Sequence, residues 1–400
     1  MSACFSYHHA SPGGEGGIAL VELFGVGVQM VLDDLFRPAR GKLPGVGRSC
    51  LGDLVARGEA FDEAVLTRLP ASETWSRLDT WTLAFHGGTW LQERVLELLG
   101  ERGGKALDTR GVLSLSLAEG RVDAIRASAY ELLLASTARR AASFFLRQYD
   151  GGELSDAVEA ILTDLAANDG DAARARLRPL LEHPEAALRL SAPLRVLLAG
   201  RPNAGKSTLF NALVEDERAV VTSSPGTTRD LIEEEVTVHD YPFRLIDSAG
   251  LRPPSSMGPV EREGVARVRL AMAEGRCDRV LYLVAPPGQL ETVDREFLES
   301  LGPGRALVVS SKSDLHSAPS GGGDLSVSAR TGEGLPALRA AFLERWLSLA
   351  PDQEVPCAPF TESLRRRFEL ALEFLSAGQA DLDGVRRLFI ECLRTSWPDS

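Results

Sequence analysis

Gly200-Arg201-Pro202-Asn203-Ala204-Gly205-Lys206-Ser207 is the stretch on which the reading of this 400-residue chain turns. A short apolar run, Arg195 to Ala199, leads into it, and a helical run, Thr208 to Val214, leads out. Strand, glycine-bounded loop and helix in that order make a cradle for phosphate. The glycines let successive backbone N–H groups turn inward, at a helix N-terminus whose dipole favours anions. Gly200, Asn203, Ala204 and Gly205 would line the cradle, with Thr208 behind them. Lys206 would reach the β- and γ-phosphates, and Ser207 would place its hydroxyl on Mg2+. The competing reading, a chance glycine-rich loop, is disfavoured by the strand before it and the helix after it.

Downstream, Pro225-Gly226-Thr227-Thr228-Arg229-Asp230 falls where a threonine can sense a γ-phosphate and ligate Mg2+. In isolation it would be a polar turn. Leu231–Val238 alternates apolar and acidic residues into His239-Asp240-Tyr241-Pro242, as an edge strand of a hairpin does. The next strand, Phe243–Ile246, ends in Asp247-Ser248-Ala249-Gly250. Asp247 would hold Mg2+ through water, and the Gly250 N–H would meet the γ-phosphate. Arg279–Val284 reads as a core strand, and Ala306–Ser310 leads into Ser311-Lys312-Ser313-Asp314. There Asp314 can accept both the N1–H and the 2-amino hydrogens of guanine. The usual first residue of that motif is asparagine. The shorter Ser311 is expected to lose contacts to the base and to the phosphate loop, keeping guanine selectivity at reduced affinity. Leu325–Val327 leads to Ser328-Ala329-Arg330, which would cover the base with a backbone N–H. The later motifs are weak singly, but five in order at ordinary spacings are strong. They imply GTP as substrate in a Ras-like P-loop α/β domain.

Ras-type enzymes orient the attacking water with a glutamine that Leu251 here replaces. Another acid or amide must act, or the domain only binds. Glu261-Arg262-Glu263 offers candidates, although these residues alone read more simply as the charged start of a helix.

Outward from this block, Arg121–Leu190 has helical periodicity. Ile125, Leu132, Leu133 and Leu134 recur in one stretch, and Leu154, Val158, Ile161, Leu162 and Leu165 in another. Gly151-Gly152 and Asn168-Asp169-Gly170 break these helices. Residues 361–395 are helical again, through Leu364, Phe368, Leu372, Leu375, Val385, Leu388 and Phe389. The expected fold class is therefore multidomain α+β. Residues 1–118 form an α+β domain with an amphipathic helix over Trp90–Leu99. A helical bundle, 119–191 and 351–400, is interrupted by an inserted GTPase domain, 192–350.

Five scattered cysteines without a C-x-x-C pair argue against a disulfide framework or a zinc site. A net charge of −12 has the wrong sign for a protein that grips nucleic acid over a broad face. No apolar run reaches the roughly 18 residues of a membrane span, and the N-terminus lacks a signal-peptide pattern. A cytoplasmic protein without membrane contact is expected. The helical arginines, including Arg139 and Arg140, read as solvated faces, and Trp75, Trp81, Trp90 and Trp346 as packing.

With these residues in hand, the chain resembles the MnmE/TrmE family of tRNA-modification GTPases. The phosphate loop and Gly226-Thr227-Thr228-Arg229-Asp230 match motifs shared with Era and Der. Phe85-His86-Gly87-Gly88, Gly120-Arg121-Val122-Asp123 and, more weakly, Gly14–Ala19 point to this member. The resemblance implies that Asn203, with Thr222, Ser224 and Thr227, coordinates K+ where other GTPases use an arginine finger. Ser207 and Thr228 would ligate Mg2+, and Glu261 would orient the hydrolytic water. It further implies a homodimer, an FAD-dependent MnmG-like partner, and tRNA met through that partner.

Departures are equally plain. The family's folate contacts fall on Glu22, Thr82 and Arg121, of which only the last is conservative. Glu22 reverses the charge that would pair with a folate carboxylate, which argues against 5-formyl-tetrahydrofolate as a ligand. Cys392 stands near the family's terminal Cys-Ile-Gly-Lys, but that motif is absent. Three functions follow: a K+-stimulated GTPase of wobble-uridine modification, a divergent GTP-switched assembly factor without folate chemistry, and, ranked last, a bare nucleotide-binding module.

Overall fold

The computed structural model describes residues 5–11, 16–215, 233–247, 268–286, 290–315, 324–377 and 381–394. The chain divides into two compact units, Met1–Glu131 with Leu393–Ser400, and Leu132–Cys392.

In the first unit seven strands form one sheet: β1 (Ser6–His9), β2 (Ile18–Phe24), β3 (Phe36–Pro38), β4 (Arg48–Ala56), β5 (Glu59–Leu69), β6 (Thr80–His86) and β7 (Lys105–Leu107). Their order is β3-β4-β5-β6-β2-β1-β7, antiparallel except for the β1–β7 pair. Alternation puts Ala19, Val21 and Leu23 of β2 and Trp81, Leu83 and Phe85 of β6 on the core face. Helices α1 (Val28–Leu35) and α2 (Thr89–Glu101) join that core. As the periodicity predicts, α2 buries Leu91, Val95, Leu98 and Leu99. The β4–β5 hairpin was not among the elements read from the sequence. Its turn residues Arg57 and Gly58 both have positive φ, the geometry of a tight hairpin whose twist matches its strands. Trp90, expected to pack, is 68% exposed. Helix α3 (Thr109–Ala118) is capped by Asp108, which accepts the Gly111 N–H at 2.7 Å.

Helix α4 (Ala124–Ala135) buries Ala124, Ile125, Ala127 and Ala129, while Leu134 stays 59% exposed. Small residues, rather than the leucine run, make its packed face. Then come α5 (Arg139–Leu146), α6 (Glu153–Ala166), α7 (Gly170–Leu180) and α8 (Pro184–Ser191). The expected breaks hold. Gly152 and Asn168 adopt left-handed backbone, and Asp169 caps α7 by accepting the Ala172 N–H at 2.9 Å.

The second unit's sheet contains β8 (Leu194–Gly200), β9 (Glu233–Val238), β10 (Tyr241–Asp247), β11 (Arg279–Val284), β12 (Ala306–Ser311) and β13 (Leu325–Val327). Its order is β13-β12-β11-β8-β10-β9, parallel throughout except for edge strand β9. Both faces are covered, so the central strands are apolar along their whole length: Val196, Leu197, Leu198 and Ala199 are each at most 2% exposed. Helix α9 (Lys206–Glu215) follows β8; α10 (Thr292–Ser300) and α11 (Leu335–Leu347) follow β11 and β13.

Residues just past α11 return to the helices that precede β8. Phe360 packs edge-on against Phe144 and Phe145 of α5, and its carbonyl accepts the Ser191 hydroxyl at 3.0 Å. Helices α12 (Glu362–Ser376) and α13 (Leu382–Arg394) meet through Phe368 and Phe389, 5.2 Å between centroids. The β9–β10 turn, at His239 and Asp240, docks on the same helices. Asp240 pairs with Arg139, the Arg140 guanidinium covers the Tyr241 ring at 5.9 Å, and the Tyr241 hydroxyl donates to the Ala186 carbonyl. Arg140 also donates to the carbonyls of Pro351 and Gln353. It is a junction residue, not part of a solvated face. Among the described residues no helix is long and apolar enough to cross a membrane.

Candidate nucleotide site

The carboxyl ends of β8, β10, β12 and β13 deliver the motif residues to one edge of the parallel sheet, where open α/β sheets bind ligands. At the end of β8, Gly200 has φ +138°, and a Cβ there would lie 2.4 Å from the Leu283 carbonyl oxygen of β11. Only glycine fits so close an approach. The loop then turns through Asn203 at φ +61° and Gly205 at φ +88°, leaving the Asn203 side chain exposed and Ala204 buried.

Lys206 folds back over this loop, its ammonium donating to the carbonyls of Gly200 at 3.0 Å and Arg201 at 2.9 Å. Burial pushes its pKa down, while the Asp247 carboxylate pulls the other way. Ser207, in the first turn of α9, donates its hydroxyl to Asp247 at the end of β10, 2.8 Å away. Asp247 is 2% exposed. A hydroxyl and a carboxylate held together are hard oxygen donors, the type that Mg2+ takes beside phosphate and water. These residues fit that ion. Thr208 is exposed beside them.

The base-side residues gather at β12 and β13. Ser328 donates its hydroxyl to Asp314 at 2.7 Å, and the exposed Arg330 guanidinium stands 3.4 Å from the same carboxylate. The Ser328 hydrogen bond leads in holding the Asp314 carboxyl below its usual range, with Arg330 and Lys312 adding to it. An ionised carboxylate is what accepting two N–H groups of guanine needs. Lys312 takes a left-handed backbone at φ +58°, and Ala329 is half-buried beside Ser328. Ser311 differs from expectation. Its hydroxyl donates to the Ala204 carbonyl at 2.7 Å and lies 3.3 Å from that of Val284, so the tie to the phosphate loop is kept. The strand end runs close enough to the loop for a one-carbon side chain to reach.

One part of the site went unread in the sequence. Arg201 donates to Asp294 at 2.9 Å and pairs with Glu291. Those pairings push the Arg201 pKa up and the Glu291 carboxyl down. Asp294 also accepts the Tyr282 hydroxyl at 2.6 Å and the Glu291 N–H at 3.0 Å. The clue was Glu291-Thr-Val-Asp294, a reciprocal capping box at the start of α10. Thr222, Ser224, Thr227, Thr228, Gly250, Leu251 and Glu261 lie outside the described residues.

Similarity to known proteins agrees with this geometry. Residues 195–311 match the family described as 50S ribosome-binding GTPase. The tRNA modification GTPase MnmE of Symbiobacterium thermophilum is 36% identical, over 83% of this chain and 80% of its own. Those of Alkalilimnicola ehrlichii and Listeria welshimeri are 33% and 30% identical, covering 82% and 92% of this chain and 79% and 87% of theirs. The chain belongs to the MnmE family. It is therefore a GTP-hydrolysing enzyme.

The MnmE resemblance also marked a folate-like set. Glu22 on β2 stands opposite Thr82 on β6. Its carboxylate takes the Trp75 indole N–H at 3.0 Å and pairs with His8 at 3.1 Å, and Trp75 stacks on Tyr130 at 4.8 Å. Arg121 is exposed and lies 3.8 Å from Glu119. In this MnmE-family chain Glu22 is thus engaged by neighbours within its own unit.

Proposed function

We propose that the chain hydrolyses GTP in a Mg2+-dependent, K+-stimulated cycle that serves modification of the tRNA wobble uridine. The observation that carries the GTP reading is the convergence of Lys206, Ser207, Asp247 and Asp314 at one sheet edge. Lys206 neutralises the β- and γ-phosphates, and Ser207 with Asp247 and Thr228 holds Mg2+. Gly250 meets the γ-phosphate, Ser328, Ala329 and Arg330 close over the base, and Glu261 orients the attacking water. Asn203, Thr222, Ser224 and Thr227 hold K+, which supplies positive charge beside the transferring phosphoryl group. The exposed, left-handed Asn203 is free to turn toward such an ion.

Its relatives are named tRNA modification GTPases, which supports the wobble-uridine reading. The net charge of −12 favours a chain that meets tRNA through a partner, which the reading takes to be MnmG-like and FAD-dependent, working beside a cytoplasmic homodimer of this chain. The packing of Phe360 on α5 supports a GTPase domain inserted into a helical domain. Folate is left out of the reading, because Glu22 already serves His8 and Trp75.

The test is GTP turnover by the purified chain in K+ against Na+, with Asn203→Ala beside it. Rapid turnover in K+ that falls in Na+ and in the variant is expected. Slow turnover indifferent to the cation would remove K+ from the mechanism and leave a nucleotide-binding switch.

A further inference from the structure

We propose that this chain reads guanine through its Watson–Crick edge alone and leaves N7 unread, because Ser311 spends its only proton on the protein's own backbone. The inference rests on Asp314 as the base-reading carboxylate of the proposed GTP site.

A serine hydroxyl has one hydrogen to donate. Both neighbours of the Ser311 Oγ, the Ala204 and Val284 carbonyl oxygens at 2.7 and 3.3 Å, can only accept. That single proton is therefore committed, chiefly to Ala204. Ser311 is 5% exposed, so no water replaces the bond if the hydroxyl turns away. The edge of guanine that adjoins its Watson–Crick edge presents N7 and shares O6 with it, and both are acceptors. A hydroxyl with no second proton has nothing to offer either atom, and turning to N7 would orphan a buried carbonyl.

On the other edge the donors and acceptors match. Asp314, oriented by the Ser328 hydroxyl at 2.7 Å, accepts N1–H and the 2-amino group. Ser311 thus acts on the nucleotide only by tying the base-side strand to the phosphate loop. Guanine nucleotides altered at ring position 7 are bound as well as the natural ones.

Calorimetric titration of the full chain with GDP, 7-deaza-GDP and IDP tests this, IDP lacking only the 2-amino group. The 7-deaza compound is expected to bind within about threefold of GDP, and IDP at least about tenfold more weakly. Ser311→Ala should weaken GDP and 7-deaza-GDP by the same factor, roughly three- to tenfold. If 7-deaza-GDP is weaker by more than threefold while IDP is also weak, N7 is read and the inference fails with the base site intact. A Ser311→Ala loss confined to GDP overturns it too. IDP binding like GDP would sink the Asp314 reading itself, and this inference with it.

Discussion

Truncating Arg201 should loosen the phosphate loop through Asp294, by an amount the contacts allow to be bracketed. Asp294 is 5% exposed and holds three donors: Arg201 at 2.9 Å, the Tyr282 hydroxyl at 2.6 Å and the Glu291 N–H at 3.0 Å. Breaking a fully buried ion pair from one side costs about 3–5 kcal/mol. A surface pair is worth at most about 1 kcal/mol. The Arg201 side chain is 35% exposed, and Asp294 would keep two of its donors, so the pair falls between these limits. A coupling of about 1–2 kcal/mol is expected from the cycle Arg201→Ala, Asp294→Ala and the double variant. Native-state hydrogen exchange at the amides of α10 and of Arg201, Asn203, Ala204 and Gly205 isolates this region from the rest of the chain. The coupling then reads as roughly a 5- to 30-fold non-additive change in exchange. Additive effects, with coupling under about 0.5 kcal/mol, would show that the network merely decorates the loop.

Gly200→Ala forces a Cβ to within 2.4 Å of the Leu283 carbonyl at φ +138°, so GDP affinity should fall at least about tenfold. Unchanged binding by calorimetry would contradict that close approach. Tyr241→Phe leaves the Ala186 carbonyl without its donor and should cost about 1–3 kcal/mol in urea unfolding, with GDP affinity unaltered. A loss of affinity without a loss of stability would refute the assignment of Tyr241 to the helical junction alone. Burial, with Asp278 acting the same way, pushes the Cys277 thiol up to about 11; burial, with Glu153, pushes Cys357 up to about 12. The folded state keeps these protons above the unfolded pKa of about 8.5. The stability they contribute is therefore complete below that pH and lost as pH climbs through 11 and 12. At pH 8 the buried Cys277 should not react with a disulfide reagent before urea is added; peptide mapping that finds it labelled in the native chain would contradict that burial.

Much of the parallel sheet was legible. The strand Arg279–Val284 lies where its apolar run predicts, because a central strand covered on both faces must be apolar throughout, and the edge strand Leu325–Val327 also lies where it was read. The α2 stripe and the breaks at Gly152 and Asn168 were legible for equally local reasons. The β4–β5 hairpin was not, because charged residues such as Asp53, Asp62 and Glu63 interrupt its apolar pattern on a sheet with one open face. The leucines of α4 misled, since hydrophobic period alone does not say which face finds a neighbour. Within the site, Lys206, Ser207, Asp247 and Asp314 could be named from spacing. Ser311 could be recognised as a departure from asparagine, but its bond to Ala204 could not be foreseen.

By itself, then, the sequence marked which loop would turn its backbone around phosphate and which carboxylate would face guanine in the proposed site. Those properties are local: a glycine without a Cβ, a lysine at a helix start, an acid within three residues of a strand end. The tertiary structure alone decided what crosses between elements. It brought Arg201 to Asp294 over 93 residues, Ser311 to Ala204 over 107 and Tyr241 to Ala186 over 55. Each such contact depends on strand order and on how closely two segments approach, quantities set by packing of the whole sheet and its helices.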